Sequence, residues 1–252
     1  MAKPIDHDRK NRIINHVVSH GHAKVNDLAE MLGVTTETVR KDIAWLQEMK
    51  ILEKGHGFVT PSSSYLENPY TVKEGKDIEA KTQIALLAAS LIPERGVVFL
   101  DSGTTVAQLA KQLNLRDDLT IVTNSMIAAQ ILQNTRNQLL VTGGELRQAS
   151  YSYVGSWARR ALLQVKVDIA FMACDGFHRE GPSIRSFREL DIKETAMSCA
   201  KMSVLMADSS KFQQAGMYMY SSFSAFDSFI IERPLKKEEK ILFPETLKML
   251  HP

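Results

Sequence analysis

The spacing of hydrophobic positions changes character near residue 60. Before that point it is helical. Ile13, Ile14, Val17 and Val18 form the stripe of a helix over about Asp8 to Ser19, Leu28, Ala29 and Leu32 form a second, and Val39, Ile43 and Leu46 at i, i+4 and i+7 form a third. Gly33 stands where a C′ glycine would end the second helix, and Thr35 where a hydroxyl would cap the third. Phe58 and Val59 are the first good strand residues, and KILEKGHGFVT reads as a β-hairpin wing with Gly55 and Gly57 at its tip. The stretch PSSSYLENPYTVKEGK, residues 61–76, holds two prolines and a serine run with little periodicity, and it reads as a linker.

Beyond the linker, short apolar runs alternate with helix-period segments. Val97–Leu100, Thr120–Thr123, Leu139–Thr142, Asp168–Ala173 and Val204–Ala207 read as strands, with helices such as Val106–Leu113 and Met126–Leu132 between them. Such alternation implies a largely parallel sheet covered on both faces, whose ligands sit beyond the carboxyl ends of the strands. The expected fold class is therefore α/β: a helix-turn-helix with a wing over residues 1–60, a linker over 61–76, and a doubly wound effector domain over 77–252.

Composition narrows the function classes. With 44% hydrophobic residues in 252, the chain can fill ordinary cores. It has no apolar run of about 18 residues, and MAKPIDHDRKNR lacks the apolar stretch and cleavage site of a signal peptide, so a cytoplasmic protein without membrane association is expected. Cys174 and Cys199 match no metal spacing and make no disulfide framework. His16, His20 and His22 lie close together but lack further ligands, so no metal or other cofactor is expected. The net charge of +2, and the nine Lys/Arg against eight Asp/Glu in residues 1–60, give no bulk sign of a polyanionic partner. Any nucleic-acid reading rests on local arrangement.

That arrangement is present in the third helix. With Val39, Ile43 and Leu46 turned to the core, Thr36, Thr38, Arg40 and Lys41 are left on the outer side, the layout of a major-groove reader. Arginine can address guanine bidentately, while lysine and threonine can take phosphates. A three-helix protein-interaction module with solvated charges would show the same hydrophobic pattern. Asp42 reads better as the partner of a neighbouring cation than as a base reader. The run R-x-x-x-I, then DLAEMLGVTTETVRKDIAWLQ and an HG-containing wing, resembles the winged helix-turn-helix of the DeoR family of bacterial sugar-operon repressors. The resemblance implies double-stranded operator DNA as partner and adds His56 of the wing to the DNA-facing set. The chain departs from the family in Lys41, Lys24 and the wing's His-Gly-Phe, where the family carries Arg, a Ser or Thr cap, and His-Gly-Gly.

A second constellation gathers at the strand ends. Asp101-Ser102-Gly103-Thr104-Thr105 passes from a strand into a helix, pointing amides and hydroxyls where the helix dipole favours an anion; an ordinary capped turn has the same pattern. Neither GxGxxG nor GxxxxGK[ST] occurs, so a phosphate monoester fits better than a nucleotide. Thr123-Asn124-Ser125, Thr142-Gly143-Gly144 with Arg147, Asp175-Gly176 and Asp208-Ser209-Ser210-Lys211 end the other strands, and Glu189 and Lys193 stand at i, i+4. This order of motifs resembles the DeoR effector domain across most of residues 69–212. It implies a phosphorylated sugar as effector, a fold similar to sugar-phosphate isomerases, and a homodimer or homotetramer. Effector contacts are expected from Asp101, Ser102, Gly103, Thr104, Thr105, Thr123, Asn124, Gly143, Gly144, Arg147, Asp175, Glu189, Lys193 and Lys211.

A sugar-phosphate isomerase-like enzyme is the alternative, since Arg188-Glu189 is similar to the base segment of ribose-phosphate isomerases. The acidic cluster and Lys-Gly-Gly-Gly segment of those enzymes are missing, and FHREGPSIRS stands in their place. A sensor without catalytic residues is expected, acting as a transcriptional repressor released by its effector. The tail FIIERPLKKEEKILFPETLKMLHP lacks the family's Ile-Thr-Asp, which leaves its packing open.

Overall fold

The computed structural model describes residues 7–48, 51–55, 57–62 and 70–252. The chain divides into two compact units, Met1–Glu67 and Asn68–Pro252.

The first unit runs α1 (His7–His20), β1 (Ala23–Lys24), α2 (Val25–Leu32), α3 (Thr36–Glu48), β2 (Leu52–Lys54) and β3 (Phe58–Pro61). Ile13, Ile14, Val17, Leu28, Ala29, Val39, Ile43 and Leu46 are buried, and Leu52 and Val59 of the wing join them. The side chain of Val18 lies outside the described ones. The turn between α2 and α3 is closed by the residues the sequence singles out. Gly33 sits at φ 66, ψ 32, and the amides of Gly33 and Val34 donate to the carbonyls of Glu30 and Ala29, both at 3.1 Å, in a Schellman closure. Thr35 Oγ1 then accepts from the Thr38 amide at 3.2 Å. Lys24, at the start of α2, supplies no side-chain cap. β1 is a strand the hydrophobic pattern does not announce, because two residues cannot show an alternation; it pairs with β3, Ala23 opposite Val59, in a sheet of order β1-β3-β2.

The second unit begins with α4 (Tyr70–Glu74) and α5 (Ile78–Ala89). There follow β4 (Val97–Leu100), α6 (Thr104–Leu113), β5 (Thr120–Thr123), α7 (Met126–Ile131), β6 (Gln138–Val141), β7 (Glu145–Arg147), β8 (Ser152–Val154), α8 (Gly155–Leu163) and β9 (Val167–Met172). The chain ends with β10 (Gly176–Phe177), β11 (Pro182–Ile184), α9 (Leu190–Cys199), β12 (Ala200–Met206), β13 (Tyr218–Met219), β14 (Ser228–Ile230), α10 (Lys237–Lys240) and β15 (Lys248–Leu250). Seven strands form one sheet in the order β15-β14-β12-β9-β4-β5-β6, and every neighbouring pair is parallel. Successive strand residues serve opposite faces. Val98, Leu100 and Ile121 pack with Ile84, Val106, Leu109 and Ala128 of α5, α6 and α7, whereas Phe99, Val122 and Ala170 pack with Ala158, Leu162, Ile192 and Ala196 of α8 and α9. The sheet is doubly wound, as the alternating pattern requires.

One expectation is corrected and one open question closed here. The linker over 61–76 is too long at both ends: Pro61 pairs with Leu52 in the wing, and Tyr70–Glu74 is a helix anchored by a buried tyrosine. The tail, whose packing the sequence left open, supplies β14 and β15, the outermost strands on one side.

The chain builds outward from β4 through β5 to β6, then returns to β9 on the other side of β4 and continues through β12 and β14 to β15. The order reverses between β4 and β9, and a crevice at the carboxyl ends of those two strands is where such sheets place ligands.

Candidate functional site

In the first unit, Arg40 and Lys41 are exposed on α3. Among the described residues Lys41 makes only a long 3.9 Å contact with Glu37 one turn earlier, both side chains being largely solvated, so the ammonium is available to another anion. Arg40 makes no ion pair among the described residues. Thr36 and Thr38 are half-buried, not fully outward, and the Thr38 hydroxyl lies 2.9 Å from that of Thr35, because the helix cap engages it. His56 lies outside the described residues. Asp42 is buried, with Arg9 Nε at 2.6 Å and Lys10 Nζ at 3.5 Å. It holds α3 to α1. His20 Nδ1 contacts the His16 carbonyl at 2.8 Å and the two rings stack; among the described residues no group of three His, Cys, Asp or Glu side chains could hold a metal ion.

In the second unit the crevice is spanned by an ion pair. Asp101, at the end of β4, takes the ammonium of Lys193 from α9, and both are buried. Asp101 also accepts from the amides of Ser102 (2.8 Å) and Ala173 (3.0 Å), while Lys193 donates to the Ala173 carbonyl (2.9 Å) and lies 5.0 Å from the Tyr220 ring centre. Burial works against the Lys193 ammonium, but the carboxylates of Asp101 and Glu189 outweigh it and hold its pKa above the usual lysine value. The i, i+4 spacing of Glu189 and Lys193 therefore does not make a helix ion pair. Glu189 turns instead to the β7–β8 hairpin, where its Oε1 accepts from Ser150 (2.6 Å) and Ser152 (2.9 Å) and lies 3.5 Å from Arg147.

The other predicted residues are distributed around this pair. Ser102, Thr104 and Thr105 are buried at the start of α6; Gly103 has φ 140, and a Cβ there would stand 2.9 Å from Ala173 Cβ. Thr123 is consumed structurally, donating to the Leu100 carbonyl at 2.7 Å and accepting from the Ser125 amide. Asn124 is buried, and its Oδ1 has no partner among the described residues. Gly144, at φ 110, backs onto the Val154 carbonyl and Ala158, and it lines a surface hollow with Glu145 and Trp157, apart from the lysine-lined pocket described below. Gly143 is at φ 63 beside it.

Asp175, beyond β9, receives Lys73 Nζ at 3.2 Å and the Arg185 amide at 3.1 Å. Burial alone would raise its pKa, yet Lys73, Arg185 and Lys211 hold the carboxyl well below the usual range. Lys211 opens into a pocket of about 190 Å³ lined by Lys73, Lys76, Lys81 and Lys211 together with Asp77, Asp208, Ser210 and Gln214. Lys81 is buried and donates to the carbonyls of Lys73 (2.7 Å) and Lys76; burial, with Lys211 and Lys73 nearby, lowers its pKa against the pull of Asp208 and Asp77. Asp208 is buried, with one oxygen bound by the Ser210 amide and hydroxyl and Oδ2 without a partner among the described residues. A second hollow of about 430 Å³, which includes Glu232 and Arg233, shares Asp77, Asp208 and Ser210 with the first. Lys73, Lys76, Lys81 and Asp208 are absent from the sequence-based set. The available signal was the run KEGKDIEAK, residues 73–81, three lysines within nine residues, the first two of them in the stretch read as linker.

Comparison with known proteins bears on both halves. Residues 9–64 match the model of the DeoR-like helix-turn-helix domain, and residues 76–233 match that of the DeoR C terminal sensor domain. A putative aga operon transcriptional repressor of Escherichia coli O157:H7 is 30% identical over 233 residues, 89% of this chain and 86% of the relative. A lactose phosphotransferase system repressor of Staphylococcus epidermidis is 30% identical over 241 residues, 93% and 96% of the two chains. Among solved structures, a ribose 5-phosphate isomerase of Methanocaldococcus jannaschii aligns with TM-score 0.41 and 18% identity, covering 54% of this chain and 55% of the other. With both of its units matched in order and relatives that run along nearly its whole length, the chain belongs to the DeoR family of transcriptional regulators.

Proposed function

We propose that this protein represses a carbohydrate-utilisation operon, reading operator DNA with Arg40 and Lys41 beside Thr36 and Thr38, and leaving it when a phosphorylated sugar fills the α/β unit. The observation that carries the effector class is the pocket at the carboxyl end of the sheet, where four lysines face a space of about 190 Å³. A phosphate monoester, with a second pKa near 6, brings nearly two negative charges to that cluster at neutral pH. The amides and hydroxyls of Ser102 to Thr105 at the start of α6 favour the same charge. The adjoining hollow, with Asp208 in the shared wall, gives room and hydrogen-bond acceptors for the sugar body. The names of the relatives, repressors of the aga operon and of a lactose phosphotransferase system, support the operon class. A cytoplasmic homodimer or homotetramer fits this role, and no helix among the described residues is long and apolar enough to cross a membrane.

The site suits binding better than turnover. Glu189, whose Arg-Glu sequence context is the part that resembles an isomerase base segment, has one carboxylate oxygen already engaged by the hydroxyls of Ser150 and Ser152 and facing Arg147, so that oxygen is taken up by partners within the protein. The test is a thermal-shift and calorimetric screen of sugar phosphates against the corresponding free sugars. A ligand at 100 times its Kd should stabilise the protein by about 2.7 kcal/mol, Lys211→Ala should abolish that gain, and the ligand should release DNA. Equal affinity for the free sugar, or ligand carbon-bound protons exchanging in deuterated water only when the protein is present, refutes the reading.

A further inference from the structure

α4 is the first described element after the DNA-reading unit, and it carries Lys73 while Lys76 follows directly behind it. At five residues it is too short to persist on its own helical propensity, so its place is set by what it touches. Three holds are visible. Tyr70 is 4% exposed, its amide donates to the Ala149 carbonyl at 3.0 Å, and its ring meets that of Tyr151 edge-on at 5.9 Å. Lys73 reaches Asp175. Lys81, itself in the pocket wall, closes the carboxyl end of α4 by donating to the carbonyls of Lys73 and Lys76.

Lys73 of α4 and Lys76 just behind it line one pocket with Lys81 and Lys211, alongside Asp77 and Asp208. An anion in that pocket attracts both lysines of the α4 end, an attraction lost when α4 leaves the pocket wall. Docking of α4 and occupancy of the pocket therefore favour each other, which is the differential interaction a ligand needs to shift an equilibrium. Tyr151 ties the same helix to the rest of the site. It occupies φ 50 in the turn of the β7–β8 hairpin, its carbonyl accepts from the Met126 amide at 2.8 Å, and the flanking residues Arg147, Ser150 and Ser152 hold Glu189.

We propose that α4 is the coupling element of this repressor: anion binding by the lysine pocket fixes α4 against the Tyr151 turn, and this change alters the affinity of the DNA-reading unit. This rests on the effector reading given above. Tyr70 and Tyr151 are its positioning residues, outside the pocket lining, so their loss removes the response while leaving the pocket lysines in the chain.

The experiment uses the full chain, inorganic phosphate as probe, and a DNA site selected from a random pool. In the wild type, phosphate should slow amide exchange over residues 70–76 and change DNA affinity by a factor in the range of about 5 to 150. Tyr70→Ala should weaken phosphate binding by no more than the coupling factor it removes, leave DNA affinity without phosphate unchanged, and lose most of the phosphate response. Tyr151→Asn, which tolerates the left-handed backbone, should behave alike and serves if Tyr70→Ala fails to fold. A full phosphate response in a folded variant, or phosphate binding without added protection of residues 70–76, overturns the coupling role. Phosphate binding unaffected by Lys211→Ala overturns the pocket assignment itself, a separate result.

Discussion

Replacing Lys193 by methionine removes the one cation that pairs with the buried Asp101 carboxylate among the described residues. Asp101 keeps the amides of Ser102 and Ala173, at 2.8 and 3.0 Å, but loses its counter-charge, while the Ala173 carbonyl loses one of its donors and keeps the Tyr220 hydroxyl at 3.0 Å. Breaking a buried pair from one side costs about 3–5 kcal/mol, and the two surviving amide bonds place this case at the lower end, about 3 kcal/mol. At roughly 2–4 °C per kcal/mol for a unit of this size, the calorimetric transition of the α/β unit should fall by about 6–12 °C. Asp101→Asn should cost a similar amount by stranding the ammonium. The double variant, which buries no charge, should cost less than the sum, with a coupling of about 2 kcal/mol or more. Shifts below about 2 °C in both single variants, or strictly additive losses, would refute the structural account. A Lys193→Met protein of normal stability with sharply weaker sugar-phosphate binding would show instead that the ammonium is a direct effector ligand.

Arg40→Ala should weaken operator binding by about 1–3 kcal/mol and relax preference at one base pair, whereas Lys41→Ala should lower the slope of log affinity against log salt by about one; footprinting and salt titration separate them. Because the Lys81 pKa lies below the ordinary lysine value and an anion would raise it, effector binding should take up protons and weaken as pH rises through the free-state pKa, visible as a buffer-dependent calorimetric heat. The Asp175 carboxyl is held below its ordinary value, so its stabilisation is complete above the unfolded value of about 3.9 and disappears as pH falls through the folded one; Asp175→Asn should flatten the acid limb of the Tm profile. Gly144→Ala should be far more damaging than Gly33→Ala in denaturant titrations: both glycines have positive φ, but a Cβ at Gly144 would meet the Val154 carbonyl at 2.7 Å while at Gly33 nothing lies within 4 Å, limiting that loss to about 1–2 kcal/mol.

Elements set by local chemistry were legible. Gly33 and Thr35 mark the α2–α3 turn because a left-handed residue and a cap are properties of one or two positions, and β4 and β5 match their predicted bounds because a buried parallel strand is a continuous apolar run. Partnerships at long range were not. Asp101 and Lys193 are 92 residues apart, and their union replaces the i, i+4 pair that local spacing offers between Glu189 and Lys193. Two of the pocket lysines were hidden for the opposite reason: Lys73 and Lys76 lie in a polar stretch that resembles a linker, and the burial of Tyr70, the Lys73–Asp175 pair and the Lys81 bonds bring them to the sheet. β15 is half-exposed and three residues long, too short for its period to stand out in the tail.

The reversal of strand order between β4 and β9 also governs the timing of assembly. Phe99 pairs with Ala170, so the central seam of the sheet closes only after a long stretch of chain is available, whereas the first unit is held by partners such as Ala23 and Val59, or Arg9 and Asp42, 33 residues apart in the latter case. Low sequence separation favours fast folding, and parallel pairing across a long loop slows it. During synthesis at about 5–20 residues per second, the winged unit is complete roughly 5–20 s before β9 emerges, by the same rate. A growing chain thus passes through a stage in which the part that meets DNA is formed and the part that answers to metabolism is not. A newly made regulator of this family acquires its DNA-binding unit before its sensor unit.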